Sequence, residues 1–114
     1  MEPLDSRTKS FSLSIIKLYG SLPQKVEAQI IGKQFLRSGT SVGAHYREAM
    51  HARSNSEFTA KIDAGLQELQ ETRYWLELLE EANIVAGKEL DEICNEAKEL
   101  TAILVSISKK VKAS

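Results

Sequence analysis

Proline occurs only at Pro3 and Pro23, so no helix-breaking residue interrupts the chain beyond position 23. In four segments, apolar and small residues recur at alternating steps of three and four, which places each set on one face of an α-helix. Strand-like alternation is not sustained anywhere. The pattern therefore predicts four amphipathic helices. Their stripes are Phe11, Ile15, Leu18 and Leu22; Ala28, Ile31, Phe35, Ser38, Val42, His45 and Ala49; Phe58, Ile62, Gly65, Leu69, Thr72, Leu76 and Leu79; and Leu90, Ile93, Ala97, Leu100, Leu104, Ile107 and Val111.

Three breaks separate these stripes. The segment Ser21–Gln24 matches a capping box, and it would place Pro23 in the first turn of the second helix, where its missing N–H does no harm. The segment Ser54–Glu57 matches a second capping box, directly before the third stripe. The segment Asn83–Gly87 supplies the third break. We therefore predict that the helices begin and end at these three places.

The predicted helices cover about residues 6–20, 23–51, 55–82 and 88–111 of one domain, residues 1–114. Short connections between long helices make sequential helices antiparallel neighbours. The predicted fold is therefore an all-α, antiparallel, up-down-up-down four-helix bundle.

Charge is nearly balanced overall but unevenly distributed. The formal net charge is −1, which argues against a protein that attracts polyanions through its overall charge. Residues 1–61 carry nine Lys and Arg against five Asp and Glu, whereas residues 62–114 carry six against eleven. Two helix pairs with complementary surfaces are the simplest interpretation of this distribution.

The cysteine count and the N-terminal segment bear on the compartment. Cys94 is the only cysteine, so no intrachain disulfide forms, and we interpret its side chain as a buried small apolar group. The first residues contain no apolar signal segment, and no apolar run approaches the roughly 20 residues that span a bilayer. We expect a cytoplasmic protein with no membrane partner.

The third predicted helix carries a second stripe beside the first, formed by Ala64, Glu68, Glu71, Trp75 and Leu78. A helix with two adjacent stripes usually contacts neighbours on both, and tryptophan is enriched at protein interfaces. We expect self-association through this flank. The alternative is that Trp75 covers the core of the monomer.

The second predicted helix carries polar side chains along one edge. These are Ser38, Ser41, His45 and Glu48, with Arg37 beside them. We expect a structural polar network across the helix pair, in which Arg37 forms an ion pair with Glu68 or Glu71 and sets the register. An active site is the alternative, because a His–Glu pair can perform acid–base chemistry, but no nucleophile accompanies it.

Two glycines lie in the middle of the second predicted helix, in the segment Ser38–Ala44. Each costs about 1 kcal/mol relative to alanine inside a helix, so we expect another helix to pack unusually close there. A phosphate-binding loop would need a preceding strand and a following Lys-Ser or Lys-Thr, and neither is present.

Metal chemistry is also disfavoured by the residue count. Di-iron bundles use two Glu-x-x-His elements, and only the pair Glu48 and His51 has that spacing, because Val42 lies three residues before His45. We predict no metal site and no other cofactor.

The outward face of the second predicted helix is basic. Lys33, Arg37, Arg47 and His51 fall along one stripe, with Lys25 and Arg53 nearby. Such a stripe can follow phosphates, and Lys33, Arg37, Arg47 and Arg53 are the candidate nucleic-acid contacts. No aromatic residue interleaves with them, so base stacking is not indicated. An ordinary solvated helix face is the alternative.

Several short motifs stand out along the chain: Arg37-Ser38, Ser41-Val42-x-Ala44-His45, Glu48, Phe58 with Lys61, Glu68, Glu71-Thr72 and Tyr74-Trp75-Leu76. Together they resemble the bacterial four-helix-bundle proteins named for intervening sequences in 23S ribosomal RNA genes, from about Phe11 to Val111. One departure is His45, where that family more often has asparagine; both side chains can form hydrogen bonds.

This resemblance implies a left-handed bundle that assembles as a homopentamer. It also implies a relationship to the accessory protein of diversity-generating retroelements, a basic pentameric barrel that binds nucleic acid and reverse transcriptase. The present chain differs from that protein in its charge of −1. The resemblance implies no catalytic residues.

From these observations we expect a non-enzymatic, oligomeric binding or scaffold protein, with structured RNA or a nucleic-acid-processing protein as partner and no small-molecule substrate. One alternative is a protein-only adaptor that docks through the acidic C-terminal half. A second is an RNA-cleaving bundle, which would use an arginine and a histidine with four to six residues between them. Three residues lie between Arg47 and His51, and seven lie between Arg37 and His45, so neither pair fits that pattern.

Overall fold

The computed structural model describes residues 2–114, and within that range it contains four α-helices and no strand. The helices form an elongated body of 47 × 24 × 21 Å. The predicted all-α fold is confirmed. The helices are α1 (Leu4–Gly20), α2 (Val26–Met50), α3 (Asn55–Glu81) and α4 (Lys88–Ala113).

Each helix packs against its sequence neighbour, and α4 closes the bundle against α1. The connections between successive helices are short, so the helices alternate in direction as the sequence predicts. The longest shared surface lies between α2 and α3, while α1 and α4 meet over a much shorter length. The α2–α3 pair is therefore the centre of the bundle.

The start of α2 differs from the prediction. The hydroxyl of Ser21 donates a 2.8 Å hydrogen bond to the carbonyl of Leu18, so this serine stabilises the end of α1 and does not cap α2. Helix α2 begins at Val26, with Lys25 in extended conformation before it, and Pro23 lies in the connection. The predicted capping box was wrong because a serine between two helices can bond either to carbonyls behind it or to amides ahead.

The other two breaks are as predicted. The hydroxyl of Ser54 accepts a 3.0 Å hydrogen bond from the amide of Glu57, which caps α3. After α3, Asn83 takes a left-handed backbone with φ 58°, and the amide of Ile84 bonds the carbonyl of Leu79 at 2.9 Å. This Schellman arrangement stops α3, and Gly87 precedes α4 with φ 113°.

The core follows the predicted stripes, with exceptions at the bundle ends and on α2. Ile31, His45, Phe58, Ile107 and Val111 are half-buried, because each lies at an end of the bundle or at the edge of its stripe. Four positions that the apolar pattern did not include are fully buried: Thr8, Gly32, Gly39 and Ser108. Small and hydroxylated residues thus complete a core that the stripes only outline.

The predicted close helix packing at glycine is confirmed. A Cβ atom at Gly39 would lie 2.9 Å from two side-chain carbons of Ile15, and one at Gly43 would lie 3.3 Å from the hydroxyl of Thr8. The absence of side chains on α2 therefore lets α1 approach closely. Within residues 2–114, none of the helices combines the length and the apolar character that a bilayer crossing requires.

Candidate functional site

A continuous row of polar side chains runs along the outside of the α2–α3 pair, and we call it the polar seam. It lies on the flank where the sequence predicts both the polar network and self-association. Most of its members are half-buried, so their charges are partly shielded from water. The polar seam consists of Arg37, His45 and Glu48 of α2, and Lys61, Glu68, Glu71 and Trp75 of α3.

Arg37 joins the two helices at the centre of the seam. Its Nη1 lies 3.1 Å from Oε2 of Glu68, and its Nη2 lies 2.8 Å from Oε2 of Glu71. The predicted ion pair is confirmed, and it involves both carboxylates. These hydrogen bonds, first that to Glu68, raise the pKa of Arg37 above its ordinary value. Because the planar guanidinium serves two acceptors on successive turns of α3, it sets the register of the helix pair.

Glu71 is held from two sides. The indole Nε1 of Trp75 donates a 2.9 Å hydrogen bond to its carboxylate, and Arg37 supplies the opposing charge. The Trp75 hydrogen bond and then the Arg37 contact lower the pKa of Glu71. Glu71 therefore remains ionised at neutral pH and fixes both side chains.

At the other end of the seam, His45 lies between two carboxylates. Its Nδ1 is 2.7 Å from Oε1 of Glu48, and its Nε2 is 3.8 Å from Oε2 of Glu68. The ammonium of Lys61 lies 3.7 Å from Glu48. The hydrogen bond from His45, followed by the charge of Lys61, lowers the pKa of Glu48. Every carboxylate of the seam thus has a basic partner, and the row is close to neutral.

Two residues of the predicted network lie outside the seam. Ser38 is fully buried in the core, where a 2.8 Å hydrogen bond links its hydroxyl to that of Thr72. The hydroxyl of Ser41 donates to the carbonyl of Arg37 on its own helix, at 2.7 Å. Both hydroxyl groups already form hydrogen bonds within the protein, so neither serine offers a free donor to a ligand.

Trp75 is half-buried and packs against the hydrophobic core, and its ring centre lies 5.2 Å from that of Tyr74 in a T-shaped arrangement. Beyond it the flank becomes apolar. Ile30 lies two turns before Arg37 on the same stripe of α2 and is 60% exposed, Val26 is 74% exposed and Tyr74 is 54% exposed. We call Val26, Ile30 and Tyr74 the apolar flank patch.

The four candidate phosphate contacts separate into two groups. Lys33, Arg47 and Arg53 are exposed, and their side chains form no ion pair among residues 2–114. Arg37 belongs to the polar seam, where two carboxylates already neutralise it. The free basic surface is therefore smaller than the sequence pattern indicates.

Sequence reasoning missed two long-range clusters that attach α4. The guanidinium of Arg7 contacts the carboxylates of Glu96 and Glu99 at 2.6 and 3.1 Å and is only 14% exposed. Asp63 accepts hydrogen bonds from Ser108 and Lys112, both at 2.8 Å. No local motif marks these residues, because the pairs depend on how α4 is rotated against its neighbours.

Cys94 is half-buried on α4, and burial, as the largest cause, raises the pKa of its thiol. A protonated thiol is a weak nucleophile, in keeping with the expected packing role. Among residues 2–114, no cluster of three or more His, Cys, Asp and Glu side chains is arranged to hold a metal ion.

Comparison with known proteins identifies the family. The family model described as 23S rRNA-intervening sequence protein matches residues 5–106. The chain belongs to this family. The resemblance drawn from the seam residues and their neighbours is therefore confirmed, and the polar seam is a feature of a 23S rRNA-intervening sequence protein.

A solved structure supports the same assignment for this 23S rRNA-intervening sequence protein. The crystal structure of a protein of unknown function from the S23 ribosomal protein family of Bacteroides thetaiotaomicron VPI-5482 is 36% identical in sequence, with a TM-score of 0.87. The match covers 94% of the present chain and 99% of that chain. A comparison with curated proteins finds no match.

Proposed function

We propose that this protein is a non-enzymatic, self-associating helical bundle that serves as a binding scaffold, with structured RNA as its ligand. One observation supports the proposed self-association. The polar groups on the α2–α3 flank are satisfied within the chain, and the apolar flank patch continues the same surface. Such a surface can be buried against a second copy without leaving charges unpaired.

The energetics favour an interface that includes the whole flank. Fully burying an aliphatic side chain contributes about 1.5 to 3 kcal/mol, so Val26 and Ile30 alone offset only the lower end of an association cost of about 4 to 15 kcal/mol. A standard interface buries roughly 800 Å² on each partner, which a helix-pair face along the 47 Å axis can supply. We therefore place the polar seam inside the interface together with the apolar flank patch.

The polar seam then has a defined role in assembly. Arg37, Glu68 and Glu71 are already oriented by each other, so little side-chain freedom remains to be lost when a second copy covers them. Trp75 is held by Glu71 and presents its ring edge beside Tyr74. The family resemblance implies five copies, and we adopt that stoichiometry as the expected one.

The RNA-binding part of the proposal rests on free cations. Lys33, Arg47 and Arg53 are exposed and have no ion-pair partner among residues 2–114, which leaves them available to phosphates. In a single copy these three candidate contacts make only a weak polyanion site at moderate salt. Assembly would repeat the set in every copy and raise its affinity.

Two measurements test the proposal. Native mass spectrometry of protein taken from cells reports the number of copies and any nucleic acid that remains bound. A salt titration of binding to a structured RNA should show affinity that falls steeply as salt rises, because phosphate contacts release counterions. A monomeric native mass contradicts the self-association. Binding that is absent, or unchanged between low and moderate salt, contradicts the RNA role.

A further inference from the structure

A second surface of the bundle carries exposed apolar side chains, and it lies away from the polar seam. A groove of about 320 Å³ runs between α1 and α2 near the N-terminal end of α1. We call it the α1–α2 groove. It is lined by Asp5, Thr8, Lys9, Ser12, Gly43, Ala44 and Arg47.

The floor of the groove presents carbon atoms. The hydroxyl of Thr8 donates to the carbonyl of Leu4 at 2.8 Å, and the hydroxyl of Ser12 donates to the carbonyl of Thr8 at 3.1 Å. Gly43 and Ala44 contribute almost no side-chain volume, which keeps the groove open. Because both hydroxyls already bond their own helix, the floor suits an apolar side chain better than a polar ligand.

Two large apolar residues extend this surface along α1. Leu13 is 57% exposed and Ile16 is 49% exposed, and they lie one turn beyond Lys9 and Ser12 on the same helix. Exposed aliphatic side chains at the side of a groove gain stability only when another apolar surface covers them. Together with the floor they form an apolar strip about three turns of helix long.

Positive charge surrounds the strip. Lys9 of α1 and Arg47 of α2 line the groove, Lys17 and Lys33 are exposed on the same two helices, and none of the four forms an ion pair among residues 2–114. The one carboxylate in the groove lining, that of Asp5, accepts a 2.9 Å hydrogen bond from the amide of Ser6 at the start of α1. The rim is therefore cationic on both sides.

We propose that the α1–α2 groove is a docking site for an acidic amphipathic helix of a partner protein. Two antiparallel helices with small residues between them accept a third helix, whose apolar side chains at steps of three and four would cover Leu13 and Ile16. Glutamates or aspartates flanking those side chains would meet Lys9 and Arg47. The charge of the rim selects an acidic partner, and the apolar strip selects an amphipathic one.

RNA fits this surface less well. Phosphates gain nothing from Leu13 and Ile16, and neither exposed residue is aromatic, so no base-stacking platform is offered. Helix α4 of a second copy also fits poorly, because it carries the exposed acids Glu89, Asp91 and Glu92 but none of the exposed large apolar residues of the protein.

The test uses a fluorescein-labelled synthetic helix of about five turns, with leucine on one face and glutamate on its flanks, and the full-length protein. Fluorescence anisotropy should show saturable binding. The double change Leu13→Gln and Ile16→Gln should weaken the affinity at least about tenfold, because the apolar contact is lost. The control, Ala102→Gln, introduces the same polar side chain at an exposed position of α4 that neither proposal uses, and it should leave peptide affinity unchanged.

The charge requirement has its own pair of variants. Lys9→Glu with Arg47→Glu should weaken peptide binding at least about tenfold, whereas Lys109→Glu with Lys110→Glu, which are exposed on α4 and do not line the groove, should have little effect. A peptide with lysine in place of glutamate should not bind. Binding of that peptide as tight as the acidic one, or equal losses from test and control variants, overturns the proposal.

Three further outcomes also overturn it. These are no saturable binding of the acidic peptide, a Leu13/Ile16 variant that loses poly(U) or anionic phosphatidylglycerol vesicles as strongly as the peptide, and a native mass that falls in that variant. The first would show that the acidic helix is not the ligand, the second would assign the strip to RNA or to a membrane surface, and the third would assign it to self-assembly. If a change at Trp75 abolishes assembly while peptide binding is retained, the result concerns only the proposed function. The two proposals can therefore fail separately.

Discussion

The hydroxyl groups of Ser38 and Thr72 form a 2.8 Å hydrogen bond between α2 and α3 at a point where both residues are fully buried. The Thr72 hydroxyl also lies 2.7 Å from the carbonyl of Glu68, and the Ser38 hydroxyl lies 3.5 Å from that of Phe35. A buried hydroxyl pair of this kind costs little only while both members are present. It lies directly beneath the Arg37 ion pairs and fixes the same register from inside the bundle.

The first prediction concerns this pair. Thr72→Val keeps the shape but leaves the Ser38 hydroxyl with only its 3.5 Å contact, so the free energy of unfolding should fall by about 1 to 3 kcal/mol. Adding Ser38→Ala should cost less than the sum of the single changes, as urea unfolding would show. Ser41→Ala is the control, since that half-exposed hydroxyl bonds only its own helix. Strict additivity would mean that the two hydroxyls are not coupled.

The second prediction concerns helix approach. Gly39→Ala places a Cβ atom 2.9 Å from Cγ1 and Cγ2 of Ile15, atoms close to the backbone that cannot rotate away. Overpacking costs about 1 to 3 kcal/mol and should exceed the gain of about 1 kcal/mol in helix propensity, so the protein should be destabilised by a net ~1 to 2 kcal/mol. Gly20→Ala meets no atom within 4 Å and should be neutral or stabilising. Thermal unfolding of both variants would measure these changes in stability. A more stable Gly39→Ala protein would show that α1 can move outward freely.

The third prediction concerns assembly. Trp75→Ala should reduce the native mass of the oligomer while leaving helical content by circular dichroism nearly unchanged, because the side chain is only half-buried in a single copy. Trp75→Phe keeps a ring but loses the donor to Glu71, and it should weaken assembly less. If both variants keep the parent's native mass, Trp75 only covers the core.

The fourth prediction concerns acid stability. Hydrogen bonds from Lys112, as the largest cause, and from Ser108 lower the pKa of Asp63 below its ordinary 3.8. The lowered pKa in the folded state stabilises the protein fully above about pH 4 and progressively less as pH falls through the folded pKa. The side chain of Asp63 is 39% exposed, so after screening the contribution at neutral pH is roughly 0.5 to 1 kcal/mol.

Urea unfolding of Asp63→Asn should therefore match the parent protein in strong acid and fall below it near neutral pH. Lys112→Met should show part of the same difference. Lys110→Met, which removes an exposed neighbouring charge that does not touch Asp63, is the matched control. A gap between parent and Asp63→Asn that stays constant across pH would show that ionisation is not involved.

The fifth prediction separates the basic residues. Arg47→Ala should weaken RNA binding and reduce the slope of log affinity against log salt concentration by about one. Arg37→Ala should leave that slope unchanged, because Glu68 and Glu71 already neutralise Arg37. Arg37→Ala should instead destabilise the helix pair, since it leaves two carboxylates side by side. Equal effects on the salt slope would place Arg37 on the phosphate-binding surface.

The sequence allowed the Arg37 ion pair with Glu68 and Glu71 to be predicted, because the residues occupy the facing edges of two long stripes whose register a short connection limits. It did not allow Arg7 to be paired with Glu96, since almost ninety positions separate them. Their meeting depends on the rotation of α4, which no local spacing encodes.

By itself the sequence determined the four helices, their stops and their buried faces, because helix formation and capping depend on residues a few positions apart. Tertiary structure alone decided that Ser38 bonds Thr72 and that Arg7 meets Glu96. It also brought the small residues of α1 and α2 together into an open groove. These features arise from contacts between distant segments, which form only when the helices take one axial offset and one rotation.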